Sequence, residues 1–526
     1  MNVHLLYPAR DLDFQPDLPP WQRPRDVPAS PAPSLGELAM VQDLELNVLF
    51  GAMSGADDFL LQVAKRVVLL GQQEDLTTVV YRQSVLKDCL RNDAAVRMLY
   101  SIAVEAIESK QRGWFSILTH YPGGILSDAV RYLRMLTEML QKLRKLADEQ
   151  AGKFESEGFL AFFDMIRTEL TDEYLARIEN HLKHLEFRDG TLMSAELGKG
   201  NEGVNYMLRK SPGPRLRWYE RVFVRQPPAY TYRLDPRDES GGRILSEMRD
   251  RAIRHVAVAA AQSADHVEGF FVALRTELAF YLGCVNLHRE LARKGVSVCF
   301  PVPSPPGTGK HSAAGLRDAC LALTMQEPVV GNDMLADGKD LIVITGANQG
   351  GKSCFLRGLG VAQLMMQCGM FVAAETFQAD LCRGLFTHYK REEDVTMRSG
   401  KLDEELVRMS AIIDEVKPDS MVLFNESFAS TNEREGSEIA RQIVGALLES
   451  RVRVLFVTHL YDFACNPRQG NADRTLFLRA ERQANGQRTF KLLPGEPLET
   501  SFGADLYERV FGDKTGQEAG HSGDNG

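Results

Sequence analysis

Residues 346–353 read Gly-Ala-Asn-Gln-Gly-Gly-Lys-Ser, the Gly-x-x-x-x-Gly-Lys-Ser arrangement of a loop that grips polyphosphate. The chemistry dictates these types. Glycines let backbone N–H groups approach phosphate oxygens, and a helix opening at the loop adds partial positive charge. Lys352 reaches the outer phosphates, and the Ser353 hydroxyl joins a Mg²⁺ shell. The expected nucleotide-binding residues are Gly346, Ala347, Asn348, Gln349, Gly350, Gly351, Lys352, Ser353 and Cys354, with ATP and Mg²⁺ as cofactors. Two further groups have types suited to hydrolysis. Glu426 closes the apolar run that begins at Met421 and is placed to polarise an attacking water, while His459 closes the run from Val452 and is placed to sense the terminal phosphate. Asn425 would share Mg²⁺ with Ser353. A structural carboxylate at a strand end and a structural imidazole are the alternative readings of Glu426 and His459.

Such groups need a rigid frame. Leu341-Ile342-Val343-Ile344 reads as a buried strand feeding the loop, and Phe355, Leu356, Leu359, Val361 and Leu364 recur as the buried face of the helix that leaves it. The runs ending at Glu426 and His459 add two strands separated by helical pattern. Alternation of this kind predicts a parallel sheet whose carboxyl ends open on one crevice. A second glycine loop, Pro305-Pro306-Gly307-Thr308-Gly309-Lys310-His311-Ser312, imitates the first. His311 stands where the magnesium hydroxyl belongs and prolines interrupt the feeding strand, so this segment is expected to be a surface loop.

Upstream, periodicity from about Leu44 to His184 is helical, with stripes such as Leu60, Val63, Ala64, Val67 and Val68. Between Phe187 and Leu234 glycines and prolines bracket short alternating runs, which predicts a small β insertion. Lys210, Arg215, Arg217, Arg221 and Arg225 are interleaved there with Trp218, Tyr219 and Phe223, a composition suited to DNA phosphates with aromatic support. A solvated hairpin is the alternative. Helical pattern resumes from about Ser240 to Lys294. Residues 1–40 are rich in proline and predict an extended arm or docking strap without regular helix.

Composition sets outer limits. The 526 residues suffice for several domains, and a net charge of -9 means that any nucleic-acid contact must come from a local basic surface. Eight cysteines without a Cys-x-x-Cys pair suggest a reduced, cytoplasmic protein without a zinc site. No apolar run approaches the roughly 18 residues of a membrane span, and no membrane association is expected.

Taken together, the 346–353 loop, the strand ending at Glu426, the Ser430-Thr431-Asn432-Glu433-Arg434-Glu435-Gly436 segment and Val457-Thr458-His459 resemble, in order and spacing, the ATPase domain of the MutS family of DNA mismatch-repair proteins. Gly369 to Ala374, Glu393-Asp394 with Arg398-Ser399-Gly400, and Thr500-Ser501-Phe502-Gly503 match as well. The resemblance implies an α + α/β fold. A proline-rich arm (1–40) would precede a helical core and lever domain (41–295) carrying a β clamp at about 187–236. A P-loop, ABC-type α/β ATPase domain (296–512) and a disordered tail (513–526) would follow. It further implies a homodimer in which Ser430, Thr431 and Asn432 act in trans on the partner's nucleotide, and ATP-dependent binding of mismatched, branched or otherwise distorted double-stranded DNA. The alternative is a nucleotide-gated binding or assembly module with little or no hydrolysis. Three positions depart from the family pattern. Asn425 replaces an aspartate, Asn432 replaces a serine, and Val329 stands where an aromatic usually faces adenine. The 295 residues ahead of the ATPase domain leave no room for the family's mismatch-reading domain, so a short member without it is expected.

Overall fold

Hydrophobic stripes at helical spacing produce the first eight helices: α1 (Leu35–Asp43), α2 (Leu46–Ser54), α3 (Asp58–Leu70), α4 (Leu76–Arg91), α5 (Asp93–Arg112), α6 (Pro122–Gln150), α7 (Glu157–Glu169) and α8 (Asp172–Leu185). The computed structural model describes residues 1–12, 14, 34–70, 75–112, 121–187, 190–209, 230–391, 400–466, 472–483 and 487–498. Lys210, Arg215, Arg217, Arg221 and Arg225 lie outside these, as do half of the proline-rich arm, the Glu393–Ser399 loop residues, the Thr500–Gly503 segment and the tail.

Two compact units divide the chain. The first gathers Met1–Val3, Ala94–Glu155 and Phe159–Thr276. Its core joins α6, α8 and the long α9 (Glu239–Arg293) through Leu126, Val130, Leu182, Ile253 and Ala257. The expected β insertion is present as an antiparallel hairpin, β1 (Met193–Leu197) with β2 (Gly203–Leu208), in the register Met193↔Leu208. Its turn forms at residues 198–202, and both arms fall within the 187–234 span. The reading that no segment suits a membrane span also needs correction. Among the described residues one helix, α9, is long and apolar enough to cross a membrane, and 78% of its apolar window is buried inside the protein. That burial belongs to a core helix.

The second unit gathers His4–Asp93, Ser156–Gly158 and Glu277–Gly526. Its described residues form two sheets. In the smaller, β3 (Val302–Ser304), β7 (Thr376–Asp380), β4 (His311–Leu316) and β5 (Asn332–Leu335) lie side by side in that order, with α10 (Ala319–Thr324) between β4 and β5 in the chain. The larger has the order β12-β11-β6-β10-β9-β8, from β6 (Leu341–Gly346), β8 (Leu385–Tyr389), β9 (Met421–Asn425), β10 (Arg453–Val457), β11 (Thr475–Arg482) and β12 (Arg488–Pro494). All are parallel except β12, which pairs antiparallel on the outer side of β11. Strands β6, β9 and β10 are nearly continuous runs of buried apolar residues because helices α11 (Lys352–Gln367), α12 (Lys401–Glu415) and α13 (Glu433–Glu449), followed by the short α14 (Tyr461–Cys465), cover them. Phe424 stacks on Phe456 with centroids 4.9 Å apart, joined in one core by Phe428, Val444 and Phe463.

The second glycine loop is a turn between β3 and β4, as its sequence suggests. Its amides already have an anion, since Asp380 accepts from Gly309 N–H at 2.7 Å and Lys310 N–H at 3.1 Å, and a strand rather than a helix follows.

The N-terminal residues correct the arm reading in two ways. A helix begins at Leu35, inside the span expected to lack one, because Ser34 and Glu37 form a reciprocal capping box directly after Pro33. Ahead of it, Leu5 and Leu6 are fully buried. Their N–H groups, with that of Leu12, donate to the Glu277 carboxylate at 2.6, 3.0 and 2.8 Å. Arg82 Nε and Tyr281 Oη donate to the Leu6 and Leu5 carbonyls. Burial outweighs those three donors and pushes the Glu277 carboxyl up to about 7. A carboxyl raised in the folded state contributes stability that is full below its ordinary value of 4.5 and lost as pH rises through about 7. Each tenfold change in proton affinity is worth about 1.4 kcal/mol, so thermal melts between these limits should show wild type losing about 3 kcal/mol relative to Glu277→Gln. Parallel pH dependence in the two proteins would refute this.

Candidate nucleotide site

The loop leaves β6 at Gly346, whose φ of 110° only glycine adopts without strain and where a Cβ would meet Ala480 N of β11 at 2.9 Å. At its other end Gly351 (φ 88°) starts α11 without a side-chain cap. The first-turn N–H groups are thereby left to a ligand, the electrostatic requirement for holding phosphate. Lys352 is buried against the loop, its Nζ donating to the carbonyls of Gly346 and Ala347 at 3.0 Å each. Burial draws its ammonium down to about 8, with Glu426 opposing and Arg488 adding to the shift. Asn348, Gly350 and Cys354 complete the segment, and Gln349 is held at φ 60°.

Parallel pairing brings the remaining residues to the same end of the sheet. Val457 of β10 sits beside both Ile344 of β6 and Asn425 of β9, so Asn425, Glu426 and His459 emerge next to the loop. Ser353 Oγ donates to Asn425 Oδ1 at 2.9 Å. A hydroxyl and an amide oxygen in contact at the start of α11 are hard oxygen donors that fit Mg²⁺. Glu426 takes a left-handed φ of 55°, a conformation that costs a non-glycine residue on the order of 1 kcal/mol and marks functional positions. Its Oε1 lies 3.1 Å from His459 Nε2. That hydrogen bond holds the Glu426 carboxyl below its ordinary range against the opposing effect of burial, with the His459 and Lys352 charges adding. The carboxylate is therefore ionised and oriented, as a proton acceptor for water must be.

The residues expected to act in trans are tied down within their own chain. Ser430 Oγ donates to Glu405 Oε1 at 2.8 Å, Thr431 Oγ1 to Glu435 Oε2 at 2.6 Å, and Asn432 Oδ1 accepts Glu435 N–H at 3.0 Å as the N-cap of α13. Sequence reading missed the support beneath them. Glu405 Oε2 also accepts Phe428 N–H at 2.7 Å, and buried His388 bridges Ser427 Oγ and the Glu405 carbonyl. Burial pulls that imidazole down to about 4, so it is neutral when it braces the segment. A Cβ at Gly436 would lie 2.4 Å from Phe428 O, which requires glycine where α13 crosses this turn.

Residues 74–294 match the family model described as MutS2 N-terminal domain, and residues 342–510 match MutS domain V. Among curated relatives, the DNA mismatch repair protein MutS of Porphyromonas gingivalis is 32% identical over 227 residues, covering 41% of this chain and 25% of that protein. That of Thermus aquaticus is 32% identical, covering 32% and 20%, and MutS protein homolog 4 of Mus musculus 28%, covering 27% and 15%. The chain belongs to the MutS family. It matches a quarter or less of the length of these relatives.

The departure at Val329 has a structural counterpart in this MutS-family chain. A cavity of about 420 Å³ opens beside the loop, with Gln349, Gly351 and Cys354 on one wall and Leu316, Val329 and Phe490 among the others. The aromatic wall comes from the outer strand β12. Asn332 holds it there, donating through Nδ2 to Phe490 O at 3.1 Å and accepting Leu492 N–H at 2.8 Å. Local sequence shows Phe490 only as one residue of an alternating run, since the pairing that brings it to the loop is nonlocal.

Proposed function

We propose that this chain is a MutS-type ATPase that couples ATP binding and hydrolysis to its hold on mismatched, branched or otherwise distorted duplex DNA. The observation that carries the reading is the convergence of Lys352, the Ser353–Asn425 contact and the Glu426–His459 pair at the carboxyl ends of three adjacent strands. The loop amides and Lys352 would bind the phosphates, and the cavity walled by Phe490 and Val329 would take the base. Bound at Ser353 and Asn425, Mg²⁺ would supply charge neutralisation on the outer phosphates. Glu426 would orient the water and accept its proton, with His459 fixing the carboxylate and registering the terminal phosphate. Ser430, Thr431 and Asn432 would complete a partner's site across a homodimer. ATP would act as a conformational ligand with different affinity for two states of that dimer. Lys210, Arg215, Arg217, Arg221 and Arg225 would contribute phosphate contacts. A cytoplasmic location is part of the proposal and rests on eight unpaired cysteines.

A competition panel of mismatched, branched and perfect duplexes, with and without ATP and across a salt series, tests this. Preference for distorted duplexes, an ATP-dependent change and a log–log salt slope of about -0.9 per phosphate neutralised are expected. Negligible DNA binding at every salt concentration would overturn it. The specific observation favouring a second reading, a nucleotide-gated module with little hydrolysis, is Asn425, whose amide offers Mg²⁺ oxygen without charge.

A further inference from the structure

Strand β8 forms the edge of the larger sheet beside β9, with Tyr389 opposite Asn425, and the next residue ties the two ends together, since Lys390 N–H donates to the Asn425 carbonyl at 2.9 Å. Adjacent strands lie about 5 Å apart, so Lys390 emerges within a side chain's reach of Asn425 and Glu426. It lines a cavity of about 570 Å³ together with Ser353 and Asn425. Behind the His459 hydrogen bond and the His459 and Lys352 charges, that of Lys390 adds to the pull that holds the Glu426 carboxyl low. The other charges near this cavity are matched within the protein. Glu45 is ion-paired with Arg357, which also holds Asp318. Asp43 has Arg391 and Arg408 beside it, and Arg408 also faces Glu404. Among the described residues the Lys390 ammonium has neither an ion pair nor a hydrogen bond.

On an open surface such a lysine is merely hydrated, and its position here is what gives it a role. Lys352 and Ser353 mark where the outer phosphates of a nucleotide on the loop would lie, and Lys390 borders that place from the β8 side. Asn425 brings an oxygen without negative charge and so holds a divalent cation less firmly than a carboxylate. Positive charge from another source then counts for more on the phosphate. We propose that Lys390 is a second phosphate-binding lysine, which donates to the terminal phosphate of ATP and takes over part of the neutralisation that an ion at Asn425 would supply. A lysine suits this task as a compact charge on a flexible stem. ADP ends one phosphate short of it, so the same contact makes the site prefer the triphosphate. The inference rests on residues 346–353 binding nucleotide.

Calorimetric titration of full-length wild type, Lys390→Ala and Lys390→Arg with ADP and with a non-hydrolysable ATP analogue, in Mg²⁺ and in EDTA, tests it. Lys390 is exposed, so its truncation leaves the core intact. Lys390→Ala should weaken the analogue about ten- to hundredfold in EDTA, the usual worth of a charge-assisted hydrogen bond, while ADP affinity stays within about twofold. Lys390→Arg, which keeps the charge, should retain most of the analogue's affinity. Unchanged analogue affinity in Lys390→Ala overturns the proposal. So does a loss shared equally by ADP, because that marks a disturbed loop and not a lost contact to the terminal phosphate. Failure of wild type to bind either nucleotide in either buffer overturns the nucleotide reading itself, a result distinct from the other two.

Discussion

Glu426→Gln is expected to lower ATP turnover by about 10²- to 10⁴-fold, the usual contribution of a positioned general base. Nucleotide affinity should be nearly unchanged. The amide keeps the shape and an acceptor for His459 but has no basic oxygen to take a proton from water. The geometry makes this substitution informative. Glu426 stands in a left-handed conformation at the end of β9, its N–H is fixed to Val457 O at 2.8 Å, and its carboxylate is held ionised chiefly by His459. Single-turnover and steady-state phosphate release, alongside a direct nucleotide-binding titration, separate chemistry from binding. Equal and negligible turnover in both proteins, with nucleotide still bound, would assign the chain to the second reading.

Lys352→Ala should weaken ATP by at least tenfold and up to about a hundredfold, since a charge-assisted hydrogen bond is worth about 1.5–3 kcal/mol. It should also abolish any effect of ATP on DNA binding. In the structure Nζ is parked on two loop carbonyls, from which it would move to the phosphates. The wild-type ammonium is drawn down to about 8 by burial, so the free protein loses this charge as pH rises through that value. Wild-type ATP affinity should therefore fall above about pH 8 while that of Lys352→Ala does not follow it. A variant that melts like wild type, binds DNA and answers to ATP as wild type does would remove the link between the nucleotide site and DNA.

Several parts of this architecture were legible in the chain because their signals are local. Continuous apolar runs marked β6, β9 and β10, and their polar ends placed Glu426 and His459 beside the loop. Proline and glycine punctuation revealed a β insertion between residues 187 and 234, and the hairpin near residue 200 falls inside that span. The helix at Leu35 was legible too, in the Ser34 and Glu37 capping pair, but the density of prolines before it obscured the signal. Other features carried no local signature. Phe490 reaches the loop only because β12 folds back on β11 and Asn332 holds it. Glu405 and His388 brace Ser430 and Ser427 from separate elements. Glu277 meets Leu5 across 272 positions of chain.

The amino-acid order by itself determined the glycine loop proposed to hold phosphate, its strand and helix, and the types of residue available for the roles proposed for water and metal. These depend on neighbours along the backbone, whose spacing alone sets which groups share a turn or a strand end. Only the tertiary structure decided which distant side chains come to the site: Phe490 on the cavity beside the loop and Glu405 beneath the Ser430 segment. Such pairings arise from many weak packing contacts summed over whole elements, and no short stretch of sequence contains that sum.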